Sequence, residues 1–351
     1  MTSGGTGSIV HALLAYRESA QKAKPNFVKP ETGHPAFDKG CHLFGIELRE
    51  APVDPVTTKV DVQAVADLID ENTIAIMGSA CNYGYGTIDP IAELAELAQS
   101  RGVGMHVDGC LGGFILPFGE ELGIEGIPPF DFRIPGVTTI SADTHKYGYA
   151  FKGSSTLLFR DKALRNSQYF HLLEWTGGKY MSPGMDGSRS GGNLASTWAA
   201  MVSMGREGYL GYAKNIFATA AAMQAAVRSH PELRIMGDPT FCFSFTSDVF
   251  DIYHVMDHMA PKGWRFNGQQ YPNAIHMAVT RPQTKPGVVD SFASDLAEAV
   301  AYARTKGNEA ALSSALYGGV AGGLDQATSD FIVTVMNDML DKQQALPPEG
   351  A

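Results

Sequence analysis

Long apolar runs are missing from this chain. No stretch approaches the roughly 18 uninterrupted apolar residues of a spanning helix, and the nearest candidate, from Tyr209 to Val227, is broken by Lys214 and Asn215. The first residues, Met1-Thr2-Ser3-Gly4-Gly5-Thr6, lack the basic and apolar regions of a signal peptide. Cysteine is scarce: Cys41, Cys81, Cys110 and Cys242 lie far apart and form no CxxC or Cys/His zinc pattern. No metal is therefore expected, and the thiols are expected to be reduced in a cytoplasmic setting. Basic charge is in deficit, with 27 Lys and Arg against 37 Asp and Glu for a net charge of −10. Attraction to nucleic acid or to an anionic membrane surface is not expected from that field, so any bound phosphate must meet a local site. Internal repeats and low-complexity tracts are absent too.

The 351 residues, 44% hydrophobic and 18% charged, are enough for one large domain or two ordinary ones with a sizeable core. Ser3-Gly4-Gly5-Thr6 opens directly onto Ile9, Leu13, Leu14, Tyr16 and Ala20, which recur at near-helical spacing. Free backbone N–H groups are thus expected at a helix start. Short β-prone segments follow: Ile74 to Met77, Val103 to Val107, Val137 to Ile140 and Ser155 to Phe159. Helical patterns separate several of them, over Val62 to Asp70 with Asp61 as cap and over Pro90 to Arg101. This alternation predicts an α/β domain with a mainly parallel sheet.

Helical patterns then run over Asn193 to Met204 and Tyr209 to Ser229. Beyond Pro231 strands are predicted at Leu233 to Met236, Phe241 to Phe245, Trp264 to Phe266 and Ile275 to Val279. Helices are predicted at Asp251 to Met259, Val289 to Thr305 and Gln326 to Lys342. The expected organisation is a large α/β domain over residues 1–215 and a smaller α+β domain over 216–351, with Leu346 to Ala351 frayed.

The most informative stretch, Ser141 to Ser155, lies between two predicted strands and carries Lys146 and Lys152 in a polar loop. Upstream, Val103 to Asp108 reads as a strand ending in a carboxylate, at the edge where open α/β sheets bind ligands. One ligand uses a lysine for a Schiff base, an acid for a pyridinium nitrogen and a helix N-terminus for a phosphate. That ligand is pyridoxal 5'-phosphate.

Here the chain resembles a known family. The Asp108 and Lys146 segments, the Ser-Gly-Gly-Thr opening and His34 within Thr32 to Lys39 are similar to the fold-type-I pyridoxal-phosphate enzymes of the group II decarboxylase family. Within it, His106 to Phe114, Phe130 to Arg133 and Ser141 to Tyr149 most resemble the sphingosine-1-phosphate lyases, as do Gly187 to Gly192 and Ala315 to Gly318. The resemblance implies a fold-type-I large domain with a smaller C-terminal domain, and a homodimer.

It also implies residue roles. Lys146 would form the Schiff base, which needs a neutral amine and hence a setting that depresses its pKa. Asp108 would hold the pyridine nitrogen protonated, His34 would stack on the ring, and His145 would sit beside the lysine. Gly5 and Thr6 would bind the cofactor phosphate, Gly191 and Gly192 would reach that of the other subunit, and Lys152 would meet the substrate phosphate. The implied reaction cleaves the bond between carbons 2 and 3 of a phosphorylated long-chain base, giving a fatty aldehyde and phosphoethanolamine. His145, Lys146 or a phosphate oxygen is each an available base for the 3-hydroxyl proton.

Two other readings use the same residues: an amino-acid decarboxylase, and a truncated homologue that binds the cofactor without full activity. The resemblance begins at the first residues, so an N-terminal segment of the family is expected to be missing. The family's patterns are broken at Gly7, where an acidic residue is usual, at Phe151, where proline is usual, and over Ser79 to Thr87. Cys110 and Cys81 are expected to pack rather than react, and Tyr83 and Tyr147 either line the site or pack.

Overall fold

A computed structural model describes residues 1–307, 309–317 and 325–344. Gly318 of the late matching run and the tail from Leu346 to Ala351 lie outside the described residues. The framework is a six-stranded sheet in the order β2-β1-β3-β4-β5-β6. Its strands are β1 (Asn26–Pro30), β2 (Glu47–Ala51), β3 (Thr73–Ser79), β4 (Gly104–Asp108), β5 (Thr139–Ala142) and β6 (Thr156–Phe159). The first five run parallel and β6 pairs antiparallel on β5. The expected mainly parallel α/β fold is what forms.

Both faces of this sheet are covered, which is why β3 is buried along its whole length. On one face α1 (Gly5–Ala20) and α2 (Ala36–Phe44) bring Ile9, Leu13, Tyr16 and Phe37 onto Phe27, Ala75 and Met77. On the other, Val28, Ile76, Met105 and Val107 share a core with residues of α3 (Val62–Leu68), α4 (Ile91–Arg101) and α5 (Leu116–Glu121). Asp61 caps α3 by accepting from the N–H groups of Gln63 and Ala64. After β6 come α6 (Lys162–Ser167) and a hairpin of β7 (Phe170–Trp175) and β8 (Gly178–Ser182).

A long helix, α7 (Gly191–Arg228), breaks at Gly205, where φ is 57° and ψ 176°. The two helical patterns read from the sequence are its two halves, and residue 215 lies within the second. That half carries Ile216, Phe217, Ala220 and Met223 into the main core. The core continues into a second, antiparallel sheet of β9 (Leu233–Ile235), β10 (Cys242–Ser247), β11 (Asn267–Gln269) and β12 (Ala274–Ala278), in the order β11-β12-β10-β9. Against it pack α8 (Tyr253–Met259) and α9 (Val288–Lys306); α10 (Ser314–Tyr317) and α11 (Gln326–Gln344) complete the described elements.

The strand expected at Trp264 to Phe266 is displaced: pairing begins at Asn267. The aromatic run is used for side-chain packing instead, with the Trp264 ring edge-on to Phe292 and its Nε1–H donating to Asp295 at 2.7 Å. Sequence patterning also passed over β1, β2, β7 and β8.

Candidate active site

Parallel pairing decides where the chemistry-bearing side chains emerge. In register, Ser79 lies beside Asp108 and Asp108 beside Ser141, so three adjacent strands end in one polar row at their carboxyl edge. Asp108 is buried, and its Oδ1 accepts from the Cys110 N–H at 3.0 Å and from the Ser141 hydroxyl at 3.1 Å. Among the described residues no hydrogen bond reaches its Oδ2.

Facing this edge is the start of α1. Gly4, with φ 129°, has a conformation that suits glycine, and no side chain caps the helix. Gly5 lets the helix approach closely, because a Cβ there would meet Asp143 Oδ2 at 2.7 Å and Cys110 Sγ at 3.0 Å. The first turn, which includes Gly7, carries no acidic residue. Uncapped N–H groups at the positive end of a 16-residue helix form a site for an anion.

The loop after β5 supplies the lysine. A turn closed by the Lys146 N–H donating to the Asp143 carbonyl folds the lysine back, leaving Nζ 3.0 Å from Asp143 Oδ2. The loop is held from two sides: the Tyr147 hydroxyl donates to the Val279 carbonyl and the Tyr209 hydroxyl to the Gly148 carbonyl, each at 2.8 Å. Tyr147 therefore packs, whereas Tyr83 is half exposed, its ring 4.6 Å from that of His276. His145 Nδ1 donates to the Ser154 carbonyl at 2.6 Å, which leaves Nε2 facing Asp143 Oδ2 at 3.7 Å. His34 is exposed, and its Nδ1 accepts from the Ala36 N–H at 3.1 Å.

Electrostatics correct one expectation. Burial acts to lower the pKa of Lys146, but Asp143, Cys110 and Asp108 together outweigh it, and the ammonium is held above its ordinary range. The lysine is thus a paired cation that must surrender a proton before it can attack. Burial first, then Asp108 and Asp143, push the Cys110 thiol well up, so it stays protonated and packs.

These groups surround a cleft of about 330 Å³. Gly5, Thr6, His34, His145 and Lys146 all line it, with Ser3, Cys110 and Asp143, and Asp108 lies buried behind Cys110. Three predicted residues are elsewhere. Lys152 is exposed beyond Phe151, itself 74% exposed, and Gly191 and Gly192 start α7 at the surface. Ser188, Arg189 and Asn193 beside those glycines line a separate cavity of about 320 Å³ with Met1, Thr2 and Ser3. Asp143 was not singled out in the sequence; its signal is the i,i+3 spacing to the lysine.

The donor set fits pyridoxal phosphate. Asp143, which lines the cleft, has a buried oxygen without a partner, Oδ1, Asp108 offers a second carboxylate oxygen, and the N-terminus of α1 suits an anion. Asp108 would hold the ring nitrogen, Lys146 the aldehyde carbon and residues 5 and 6 the phosphate.

Comparison with known proteins points to the same cofactor. Residues 9–245 match the model of the pyridoxal-dependent decarboxylase conserved domain. The chain is 43% identical over 349 residues to a sphingosine-1-phosphate lyase from Dictyostelium discoideum, covering 97% of this chain and 64% of that protein. It is 40% identical over 351 residues to the enzyme of that name from Saccharomyces cerevisiae, covering 59% of it. The chain thus spans about three fifths of the length of these curated relatives. Among solved structures, a sphingosine-1-phosphate lyase from Burkholderia pseudomallei superposes with a TM-score of 0.85 at 59% identity, over 87% of this chain and 70% of that one. A glutamate decarboxylase from Lactobacillus brevis, TM-score 0.74 at 22% identity over 86% of this chain and 74% of that one, shares the fold.

Proposed function

Because the chain belongs to the pyridoxal-dependent decarboxylase family, we propose that it is a lyase of phosphorylated long-chain amino alcohols, cleaving carbon 2 from carbon 3 to release a fatty aldehyde and phosphoethanolamine. One observation carries the reading: a single cleft assembles Lys146, Asp143, His145, His34 and an uncapped helix N-terminus on a chain 59% identical to a sphingosine-1-phosphate lyase. When bound, pyridoxal phosphate supplies a carbonyl for the substrate amine and a ring that accepts the electrons of the broken bond.

The chain's residues do the remainder. Asp143 holds the Lys146 ammonium at 3.0 Å and is placed to take its proton. Asp108, buried and fixed through one oxygen, presents the other as a hydrogen-bond acceptor. His145, with Nδ1–H committed to the Ser154 carbonyl, keeps a bare Nε2 that can receive a substrate hydroxyl proton. His34 offers a ring at the cleft wall.

We also propose a homodimer in the cytoplasm. Exposed apolar side chains on β7, β8 and the first half of α7 support a subunit contact. It would place the Gly191–Gly192 turn, and with it Lys152, near the cleft of a second copy. Four buried thiols without a disulfide suit a reducing compartment. Among the described residues no helix is long and apolar enough to cross a membrane.

The test is the purified chain with pyridoxal phosphate and dihydrosphingosine 1-phosphate, assayed for long-chain aldehyde and phosphoethanolamine. Carbon dioxide from aspartate, glutamate or tyrosine, with no aldehyde, would overturn the lyase reading. The Lys146→Ala chain should lose the visible absorption band of the bound cofactor.

A further inference from the structure

Beneath Asp108 lies a row of buried polar side chains to which the reaction above gives no part. Strands β4 and β5 pair with His106 opposite Thr139 and Asp108 opposite Ser141. His106 Nδ1 is 2.7 Å from Thr139 Oγ1 and its Nε2 is 3.1 Å from Ser141 Oγ. Ser141 in turn donates to Asp108 Oδ1 at 3.1 Å. At the far end Thr139 Oγ1 lies 2.6 Å from the hydroxyl of Tyr16 on α1. Tyr16 owes its place to Gly104, where a Cβ would come within 2.2 Å of the ring.

The direction of this chain follows from proton counting. Ser141 has one hydroxyl proton and gives it to Asp108, so its oxygen accepts from His106. The imidazole proton is then on Nε2. Bare Nδ1 accepts from Thr139, whose oxygen lies beside the Tyr16 hydroxyl, itself also 2.7 Å from Thr138 Oγ1. Only a neutral imidazole serves here, since it accepts at one nitrogen and donates at the other, whereas an imidazolium donates at both. Burial keeps His106 neutral by pulling its pKa down to about 4, against a smaller opposing pull from Asp108. Burial likewise pushes the Tyr16 hydroxyl up, so it remains a donor. From Thr139 through His106 to Ser141, every dipole therefore turns its positive end toward Asp108.

We propose that His106 is a positioning residue that acts through Ser141 to hold the Asp108 carboxylate in place, so that its free oxygen keeps the cofactor's pyridine nitrogen protonated. The proposal rests on the cofactor reading given above. A histidine buried only for packing would satisfy its nitrogens equally well, but its removal would leave the pyridine nitrogen unaffected.

Two measurements on the whole chain test it. In the chain without cofactor, ¹⁵N-labelled histidine, with the His106 signal identified by its loss in His106→Phe, should show the Nε2–H tautomer at pH 7 to 8. An Nδ1–H tautomer or an imidazolium there would overturn the direction of the row. With ¹⁵N-labelled pyridoxal phosphate bound, the pyridine nitrogen should lose its proton at a pH lower by roughly one unit in His106→Phe and in Ser141→Ala than in the wild type. Ser141→Ala removes one oxygen and so reads the same link even where the histidine variant does not fold. An unchanged nitrogen titration in variants that still show the bound-cofactor band would overturn the role of His106. A wild-type chain that never shows that band would overturn the cofactor reading instead.

Discussion

The floor of the cleft and the strap formed by β7, β8 and the first half of α7 are built in opposite ways. In the floor, polar groups are inside: His106, Asp108, Ser141 and Asp143 are all buried, the first three set in place by hydrogen bonds across parallel strands and Asp143 by the turn that pairs it with Lys146. In the strap, apolar groups are outside: Leu173 is 63% exposed, Met181 67% and Trp198 68%. Buried polarity has a cost unless it is satisfied, and the floor satisfies nearly all of it internally while keeping acceptors for a ligand. Exposed apolar surface has a cost unless it is covered. On the function and assembly proposed above, the two regions differ in what completes them: a small polar molecule for the first, a second protein surface for the second.

The largest effect that would test this contrast is on the buried side. Phe37 stacks on Phe27 with ring centroids 5.5 Å apart and meets the His106 ring edge-on at the same distance. Phe37→Ala should destabilise the chain by about 3–5 kcal/mol, measured by urea unfolding, and a loss near zero would show that the floor is not braced through α2. Next comes Asp89, buried where β3 hands over to α4 and accepting from the N–H groups of Ser79 and Val60. Burial, only partly offset by those two bonds, pushes its pKa up to about 6 from the ordinary 3.8. The folded state then holds a proton that the unfolded state has released. Stability should fall by about 3 kcal/mol as pH rises from about 4 to 6, and level off above that. Unfolding free energies of wild type and Asp89→Asn should diverge with pH across this window; a constant difference would contradict the shift.

How much of this was legible in the sequence depended on whether the signal was local. Asp108 ends a strand and Lys146 lies in the loop just past one, each within a recognisable run, so their place at one edge of the sheet could be read. Asp143 is in the same run, yet a carboxylate just past a strand reads as a cap, and only the turn that brings Lys146 back onto it reveals the pair. Strand β1 went unread because Asn26, Lys29 and Pro30 break a β pattern. Lys29 is nonetheless buried, because Asp38 and Glu50, distant in sequence from one another, each reach its Nζ at 2.9 Å. The hairpin was unreadable for a different reason: most of its residues are exposed on both faces, so no alternation of buried and exposed positions exists to be found. The direction of the Lys146 shift was misjudged because it depends on the turn that folds the lysine onto Asp143 and on Cys110 and Asp108, whose closeness is tertiary.

That shift gives the next prediction. With its pKa raised, Lys146 is neutral only at high pH, so the rate at which the bound-cofactor band appears on mixing should climb as pH increases through the alkaline range. Asp143→Asn removes the nearest carboxylate and leaves burial, which acts downward. The rate profile should then move to lower pH, in stopped-flow absorbance measurements across pH 6 to 10. A profile that stays in place would mean that the 3.0 Å pair does not govern the amine, and the floor would lose its claim to control chemistry as well as shape.

On the strap, the smallest effect on the fold should accompany a large effect on assembly. Leu173 and Trp198 touch mainly solvent in the single chain, and surface substitutions away from caps and networks usually change stability by within about 0.5 kcal/mol. The double variant Leu173→Ser, Trp198→Ser should therefore unfold at nearly the wild-type urea concentration when measured at low protein concentration. In sedimentation velocity the wild type should run as a dimer and the variant shift toward monomer, because two desolvated apolar anchors at an interface are worth far more than the same groups in water. If the variant stays dimeric, the second copy is held by another surface, and the exposed side chains of the strap must be explained without it. If instead it unfolds early, those side chains brace the monomer after all, and the contrast between a self-satisfied floor and an open strap fails at its second half.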